Sequence, residues 1–328
     1  MAGKSLTIWC NAQFSADAER ILKEGTRKHR LVRAAGAASV LTAGGEDSAL
    51  ESADIAFGQP DAGQCVRSEN LKWIEVTSAG YTRYDNEPFR EELRRRGAVF
   101  TNASSVFSEP CAQHALAMML ALGRRLPGAL DEQRGERRWL FSELRSESRL
   151  MAGETVLMLG FGAIGRRLAE LLAPFRMKIF AVRRKAYSEA GVHVISEERV
   201  SSVIAEADHV INILPDNEST RNYVNARRLS WCKRGAKFYN IGRGTTVDQG
   251  ALIEALESGK LGAAYLDVME PEPLPPSHPL WTTRNCHITP HTAGGRSDQD
   301  ETLVRHFLKN LAAFETGAGA GEFADRVI

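Results

Sequence analysis

The sequence predicts an α/β protein made of two doubly wound parallel-sheet domains with a cleft between them. Three observations carry that prediction. Short apolar runs alternate with helix-period segments through most of the 328 residues, the pattern of strands joined by crossover helices. The alternation comes in two series, and the length suits two domains of about 150 residues each. The strands of the second series are apolar nearly throughout, as a sheet covered on both faces requires.

The first series contains the runs LTIWC, ADIAFG, LKWIEV and GAVFTN as strands, with SADAERILKEG as an amphipathic helix between two of them. Ser108-Glu109-Pro110 then opens a long helix, because Ser is a good N-cap and Glu and Pro suit a first turn. Its stretch HALAMMLALG is shorter than the ~20 residues that span a bilayer and reads as a buried helix. The polar segment from DEQRGERRW to SESRL lacks a strand pattern and reads as surface arms or loops. From Thr155 the second series runs ETVLMLG, MKIFAV, DHVINILP, AKFYNIG, AAYLDV and CHITP. It forms a unit over 103–294. The helix DETLVRHFLKNLAAFETG is expected to return to the N-terminal unit, so that domain comprises 1–102 plus 295–328, with hinges near Asn102 and Gly294. A cleft between two such units is a common ligand site. The tail GAGAGE reads as frayed.

Bulk chemistry narrows the function. A hydrophobic fraction of 43%, a charged fraction of 25% and a net charge of +1 describe an ordinary globular protein with no attraction for nucleic acid or an acidic membrane. Five cysteines (Cys10, Cys65, Cys111, Cys232, Cys286) are scattered and odd in number. They indicate neither a disulfide framework nor a metal site, and suit a reducing cytoplasm. The N-terminal apolar run is too short for a signal peptide.

The motif VLMLGFGAIG is a strand entering G-x-G-x-x-G, followed by the helix RRLAELLAPF. Gly160 permits the tight turn, Gly162 lets backbone approach a pyrophosphate, and Gly165 lets helix and strand pack closely. With Phe161, Ala163 and Ile164 they form a Rossmann-like cofactor turn, whose helix N-terminus faces the anion. After the next strand an acidic residue would select NAD through the ribose hydroxyl. Arg183-Arg184-Lys185 stands there instead, and a guanidinium fork suits a 2′-phosphate. The alternative is a solvated basic loop. NADP is therefore the expected cofactor, with NAD possible.

Arg243, between Gly242 and Gly244, ends the strand KFYNI at the carboxyl edge where sheet ligands bind. Its guanidinium can grip a carboxylate and polarise the neighbouring ketone. His291, in TPHTAGG with Gly294, can supply the proton that an alkoxide needs, since histidine titrates near neutrality. Glu272 and its rival Glu270 each place a carboxylate where it could orient that imidazole, and spacing leaves the choice open. The remaining histidines are read as surface or core residues, with His114 the least settled of them.

These residues resemble the D-isomer-specific 2-hydroxyacid dehydrogenase family. The resemblance runs through LKWIEVTSAGYTRYD, SEPCAQHALAMMLALGR, the Gly motif, LPDNEST, NIGRGTTVDQGALIEALESGKL, LDVMEPEPLPPSHPLW and ITPHTAGG. It implies Arg243 as binder of the substrate carboxylate and carbonyl, His291 as acid/base, and Glu272 as its partner. It implies cofactor contacts from Leu214, Pro215, Thr220, Ile241, Gly242, Asp267, His291 and Gly294, with Asp267 on the nicotinamide amide. Backbone amides of Ser78, Ala79 and Gly80 would take the substrate carboxylate. Members are usually homodimers joined by the helix after Ser108 and the arm beyond it, with Trp139 directed towards the partner's substrate pocket.

Departures from the family pattern are informative. Arg183 replaces the usual acid, and Gln113 stands where many members have Glu. The SAGY turn is similar to the glyoxylate/hydroxypyruvate reductase side of the family. Glu272 argues against formate dehydrogenases, which carry Gln there, and no C-terminal regulatory domain is expected. The resulting expectation is an NADP-preferring reductase of small 2-oxo acids, glyoxylate or hydroxypyruvate first. Two rivals are a cofactor-sensing regulator of co-repressor type and a dehydrogenase of a non-carbonyl substrate such as phosphite.

Overall fold

The computed structural model describes residues 5–38, 44–183, 189–317 and 322–328. The chain divides into two compact units, Met1–Phe107 with Arg296–Ile328, and Ser108–Gly295.

In the first unit five parallel strands, β1 (Thr7–Ala12), β2 (Arg30–Ala38), β3 (Ile55–Gly58), β4 (Trp73–Val76) and β5 (Val99–Thr101), lie in the order β2-β1-β3-β4-β5. That is a flavodoxin-like winding. The helix Ala16–Gly25 starts where the Ser15 side chain accepts from the Ala18 N–H at 3.3 Å, satisfying one of the open first-turn donors. The helix Gln299–Glu315 places Val304, Phe307 and Leu311 in one cluster with Ile8, Phe57 and Trp73. Phe307 stacks on Phe57 at 4.1 Å and on Trp73 at 5.1 Å. β2 was not expected, because RLVRAAGAA is rich in Ala and carries Gly36 and two arginines, a poor strand composition. Tertiary pairing overrides it: β1 offers its edge from Thr7↔Arg30 to Ala12↔Ala38. The residues 318–321 of the expected frayed tail lie outside the described residues. Beyond them the chain returns to the edge of β5, where Val327 N–H donates to Phe100 O at 2.8 Å and Asn102 N–H to Asp325 O at 3.1 Å.

The second unit has seven parallel strands: β6 (Thr155–Leu159), β7 (Lys178–Val182), β8 (His193–Ile195), β9 (His209–Asn212), β10 (Ala236–Asn240), β11 (Leu261–Leu266) and β12 (Cys286–Ile288). Their order is β12-β11-β10-β9-β6-β7-β8, so the winding reverses between β6 and β9. Ligands of open α/β sheets bind beside such a switch point, outside the carboxyl ends of the strands. β8, a three-residue edge strand, was not among the strands read from the sequence.

Two expectations need correction. The long helix is Ser104–Gly123, with Pro110 inside it. Ser108 is therefore not its cap. Asn102 starts the turn earlier, its side-chain oxygen accepting from Ser104 N–H at 3.1 Å. Pro110 is the seventh helical residue, past the first turn, so Val106 O lacks the i→i−4 donor it would otherwise meet. The polar stretch beyond it is not loop. It contains the helices Leu126–Arg134 and Phe141–Glu147, tied by Arg125–Glu147 at 2.8 Å, while an Arg138–Glu132 pair holds the connection between them to the first helix. No described helix is long and apolar enough to cross a membrane.

Candidate active site

The three glycines of the cofactor turn have three separate reasons to be glycine. Gly160 has φ +92°, and a Cβ there would sit 3.0 Å from Ile213 O. At Gly162, which precedes the helix Ala163–Leu172, a Cβ would meet nothing within 4 Å, so that face of the turn is open to a ligand. At Gly165 a Cβ would press the Phe161 ring at 2.9 Å. Ala163 and Ile164 occupy the first helical turn, where backbone N–H groups lack intrahelical partners and attract an anion. This cradle fits a dinucleotide pyrophosphate. The next two strand ends lie alongside. Thr220 Oγ1 donates to Pro215 O at 2.6 Å, and Ile241 N–H to Asn212 O at 3.1 Å. Gly242 passes so close to Leu214 that a Cβ would sit 2.8 Å from its carbonyl oxygen. Arg183 follows β7 and is exposed, whereas Arg184 lies outside the described residues.

Arg243 follows β10. Its turn is held by two asparagines that the sequence reading did not single out. Asn212 Nδ2 donates to Asn240 Oδ1 at 2.9 Å, and Asn240 Nδ2 to Arg243 O at 3.1 Å. Asn240 Oδ1 also accepts from Gly242 N–H at 3.1 Å. Both asparagines are almost fully buried, so their amides bond to the turn rather than to water. The signal was available, since polar residues closing two apolar strands need partners there. Arg243 Nη1 donates to Gly242 O at 2.6 Å.

His291 follows β12 with φ +53°, a backbone conformation unfavourable for a side chain with a Cβ and common at functional sites. Its Nδ1 lies 2.7 Å from Glu272 Oε2, while Glu272 Oε1 accepts from Met269 N–H at 2.9 Å. Of the two glutamates that spacing left open, Glu272 meets the imidazole. The Glu270 backbone is bound on both sides by Gln249. Burial alone would raise the Glu272 carboxyl. The His291 bond, the Met269 N–H and the charges of His291 and Arg243 outweigh it and hold it below the usual carboxylate value. Arg243 and Glu272 line one cavity of about 280 Å³, together with Asp216, Thr245 and Glu270.

Asp267, after β11, is buried and accepts from Thr289 Oγ1 at 2.5 Å, Thr292 N–H at 2.9 Å and Ala293 N–H at 3.0 Å. Gly294 completes the same turn. Thr289, Tyr265 and His114 connect to it, a grouping that no spacing rule reveals. In the first unit, Ser78–Ala79–Gly80 form the turn after β4. Ala103 N–H donates to Ser78 O at 3.0 Å and Asn102 Nδ2 to Ala79 O at 2.9 Å. Those bonds tie the carbonyls of the turn and leave its three amides uncommitted among the described residues.

A family model described as the NAD binding domain of D-isomer specific 2-hydroxyacid dehydrogenases matches residues 116–293. A glyoxylate reductase of Aeropyrum pernix is 33% identical over 263 residues, covering 76% of this chain and 75% of its own. A glyoxylate reductase/hydroxypyruvate reductase of Mus musculus is 32% identical over 246 residues, covering 74% of each. The crystal structure of a D-isomer specific 2-hydroxyacid dehydrogenase from Xanthobacter autotrophicus Py2, in complex with NADPH and MES, superposes with a TM-score of 0.79 at 28% identity over 98% of both chains. Fold, cofactor turn and relatives define an oxidoreductase that uses a nicotinamide cofactor. The chain belongs to the D-isomer-specific 2-hydroxyacid dehydrogenase family.

Proposed function

We propose that the protein is an NADPH-preferring reductase of small 2-oxo acids, with glyoxylate and hydroxypyruvate as its first substrates. The observation that carries this reading is the 2.7 Å His291–Glu272 pair beside the Arg243-lined cavity. When bound, the nicotinamide supplies the hydride. Arg243 grips the substrate carboxylate through parallel hydrogen bonds and polarises the carbonyl. The amides of Ser78, Ala79 and Gly80 donate to the carboxylate oxygens. Nδ1 of His291 is engaged by Glu272, so the proton for the alkoxide is held at Nε2. Glu272, bonded to Nδ1, fixes the ring orientation.

Leu214, Pro215, Thr220, Ile241 and Gly242 border the cofactor, with Asp267 at the nicotinamide amide. Arg183, where an acid would select NAD, favours the 2′-phosphate. NADPH in the Xanthobacter relative and glyoxylate reductase among the curated relatives support the two finer assignments. The exposed Leu126, Leu130, Trp139, Phe141 and Leu150 cluster in the arm region and suit a homodimer contact.

The testing experiment follows dinucleotide oxidation by the purified protein with NADPH and NADH against glyoxylate, hydroxypyruvate, pyruvate and bulkier 2-oxo acids. Turnover of a short oxo acid with higher kcat/KM for NADPH supports every part of the reading. A preference for NADH overturns the cofactor assignment, and failure to reduce any 2-oxo acid overturns the activity.

A further inference from the structure

His291 occupies strained backbone, and something must hold it there. The clamp is Asp267. Its main-chain oxygen accepts from His291 N–H at 2.8 Å, and its two carboxylate oxygens take the N–H groups of Thr292 and Ala293. Oδ1 also takes the Thr289 hydroxyl at 2.5 Å. Thr289 Oγ1 is bonded to Tyr265 OH, and Tyr265 OH to His114 Nε2.

The hydrogen positions follow from donor inventory. A carboxylate only accepts, so the single hydroxyl hydrogen of Thr289 points at Asp267. The Thr289 oxygen must then accept, and the single phenolic hydrogen of Tyr265 is spent on it. The Tyr265 oxygen in turn accepts from His114, whose hydrogen therefore sits on Nε2. Burial lowers the His114 pKa, against the attraction of Asp267. The ring is thus neutral with Nε2–H, the tautomer the chain requires. Burial raises the Tyr265 phenol, so it keeps its hydrogen.

We propose that His114, Tyr265 and Thr289 are positioning residues, a one-way series of donors that aims the Asp267 carboxylate at the turn carrying His291. The proposal rests on the reading of His291 as proton donor. Without the Thr289 hydroxyl, a buried carboxylate oxygen loses a donor and re-aims. The Thr292 and Ala293 amides are released, and the turn relaxes away from the left-handed conformation. The imidazole then drifts from Glu272. Proton transfer suffers, while the dinucleotide turn at Gly160–Gly165 and the Arg243 turn, held by Asn240, are untouched.

The test compares Thr289→Val, Thr289→Ser and His291→Ala in the full-length protein, using the 2-oxo acid and dinucleotide with the highest kcat/KM. Thr289→Val should lower kcat by about tenfold to a hundredfold, the scale of a small misplacement of a reacting group. KM for the oxo acid should stay near wild type, the melting temperature should fall by no more than a few degrees, and the dinucleotide Kd read by fluorescence should rise only modestly, because Asp267 also meets the nicotinamide amide. Thr289→Ser, which keeps the hydroxyl, should restore kcat. Wild-type kcat in Thr289→Val, equal losses in Val and Ser, or a loss confined to KM overturns the proposal. If Thr289→Val does not fold, His114→Gln against His114→Leu asks the same question, because Gln keeps an N–H donor. Equal kcat in that pair overturns the donor series. Wild-type turnover in His291→Ala instead overturns the proton-donor reading itself, whatever Thr289 does.

Discussion

His291 and His306 each meet a carboxylate at hydrogen-bond distance, one in each unit, and their surroundings differ. His291 has one partner, Glu272, and both side chains keep about a third of their surface exposed, 30% and 32%. His306 lies between Glu75 and Asp325 at 3.1 Å each, with 6% of its side chain exposed. Burial opposes its charge, but the bonds to Asp325 and Glu75 win and push its pKa up to about 9. A third histidine, His209, sits between Glu154 at 2.8 Å and Tyr239 at 3.0 Å. There burial prevails and the pKa is lowered. The imidazole alone therefore decides little. Glu75 and Asp325 together make His306 a fixed cation, whereas at His209 burial favours the neutral ring. The network around His306 reaches further. Asn310 Nδ2 donates to Glu75 at 2.6 Å, and Ser105 N–H donates to Asp325 at 2.7 Å. It is a strut of the first unit.

Four measurements sharpen or break that contrast. The largest effect belongs to His291→Ala, for which steady-state kinetics should give a kcat loss of about 10²- to 10⁴-fold with an unchanged melting temperature. A residual activity near wild type breaks the assignment. His306→Ala should do the reverse. It removes the cation shared by the buried Glu75 and the half-buried Asp325, so denaturant titration should read a loss of roughly 3–5 kcal/mol, while kcat of the folded fraction stays near wild type.

The pH dependence comes next. His306 binds its proton more tightly folded than unfolded, so its contribution is complete below the ordinary histidine value of 6.5 and is lost as pH rises through about 9. A shift of that size is on the order of 3 kcal/mol. Asp325 and His209, both lowered, act on the other side. The Asp325 contribution fades as pH falls below 3.8, and that of His209 as pH falls below 6.5. Thermal melts of wild type should thus decline on both sides of neutrality, and the alkaline decline should vanish in His306→Ala. Its persistence there would assign it to another group. The smallest effect is expected of Glu272→Gln, which keeps a hydrogen bond but removes the charge. A kcat reduced by about tenfold, with KM for the oxo acid and the melting temperature near wild type, checks it by steady-state kinetics. An unchanged kcat would remove the role of its charge.

Much of this was legible in residue order, and the misses share a cause. The Gly160–Gly165 turn, Arg243 and His291 are recognisable because strict local geometry leaves a pattern in adjacent residues. β2 was hidden because its residues are poor strand formers and only the edge of β1 makes them one. The start of the helix at Ser104 was hidden because Ser108 and Pro110 imitate a cap, while the side chain that begins the turn belongs to Asn102. Glu272 could not be separated from Glu270 by spacing, since both sit in the same Pro-rich stretch. Thr289 and Tyr265 were missed as positioning groups because their partners are distant in sequence. Thr289 reaches Asp267 across 22 positions, and Tyr265 reaches His114 across 151.

The left-handed backbone at His291 also decides which replacement leaves the site intact. Among residues with a Cβ, asparagine enters that region most easily, and its amide can still donate to Glu272. It has no titratable proton to give. His291→Asn should therefore be a silent copy of the enzyme, shaped to seat both reactants and unable to finish the exchange. Such a copy would let substrate and dinucleotide be captured together and seen.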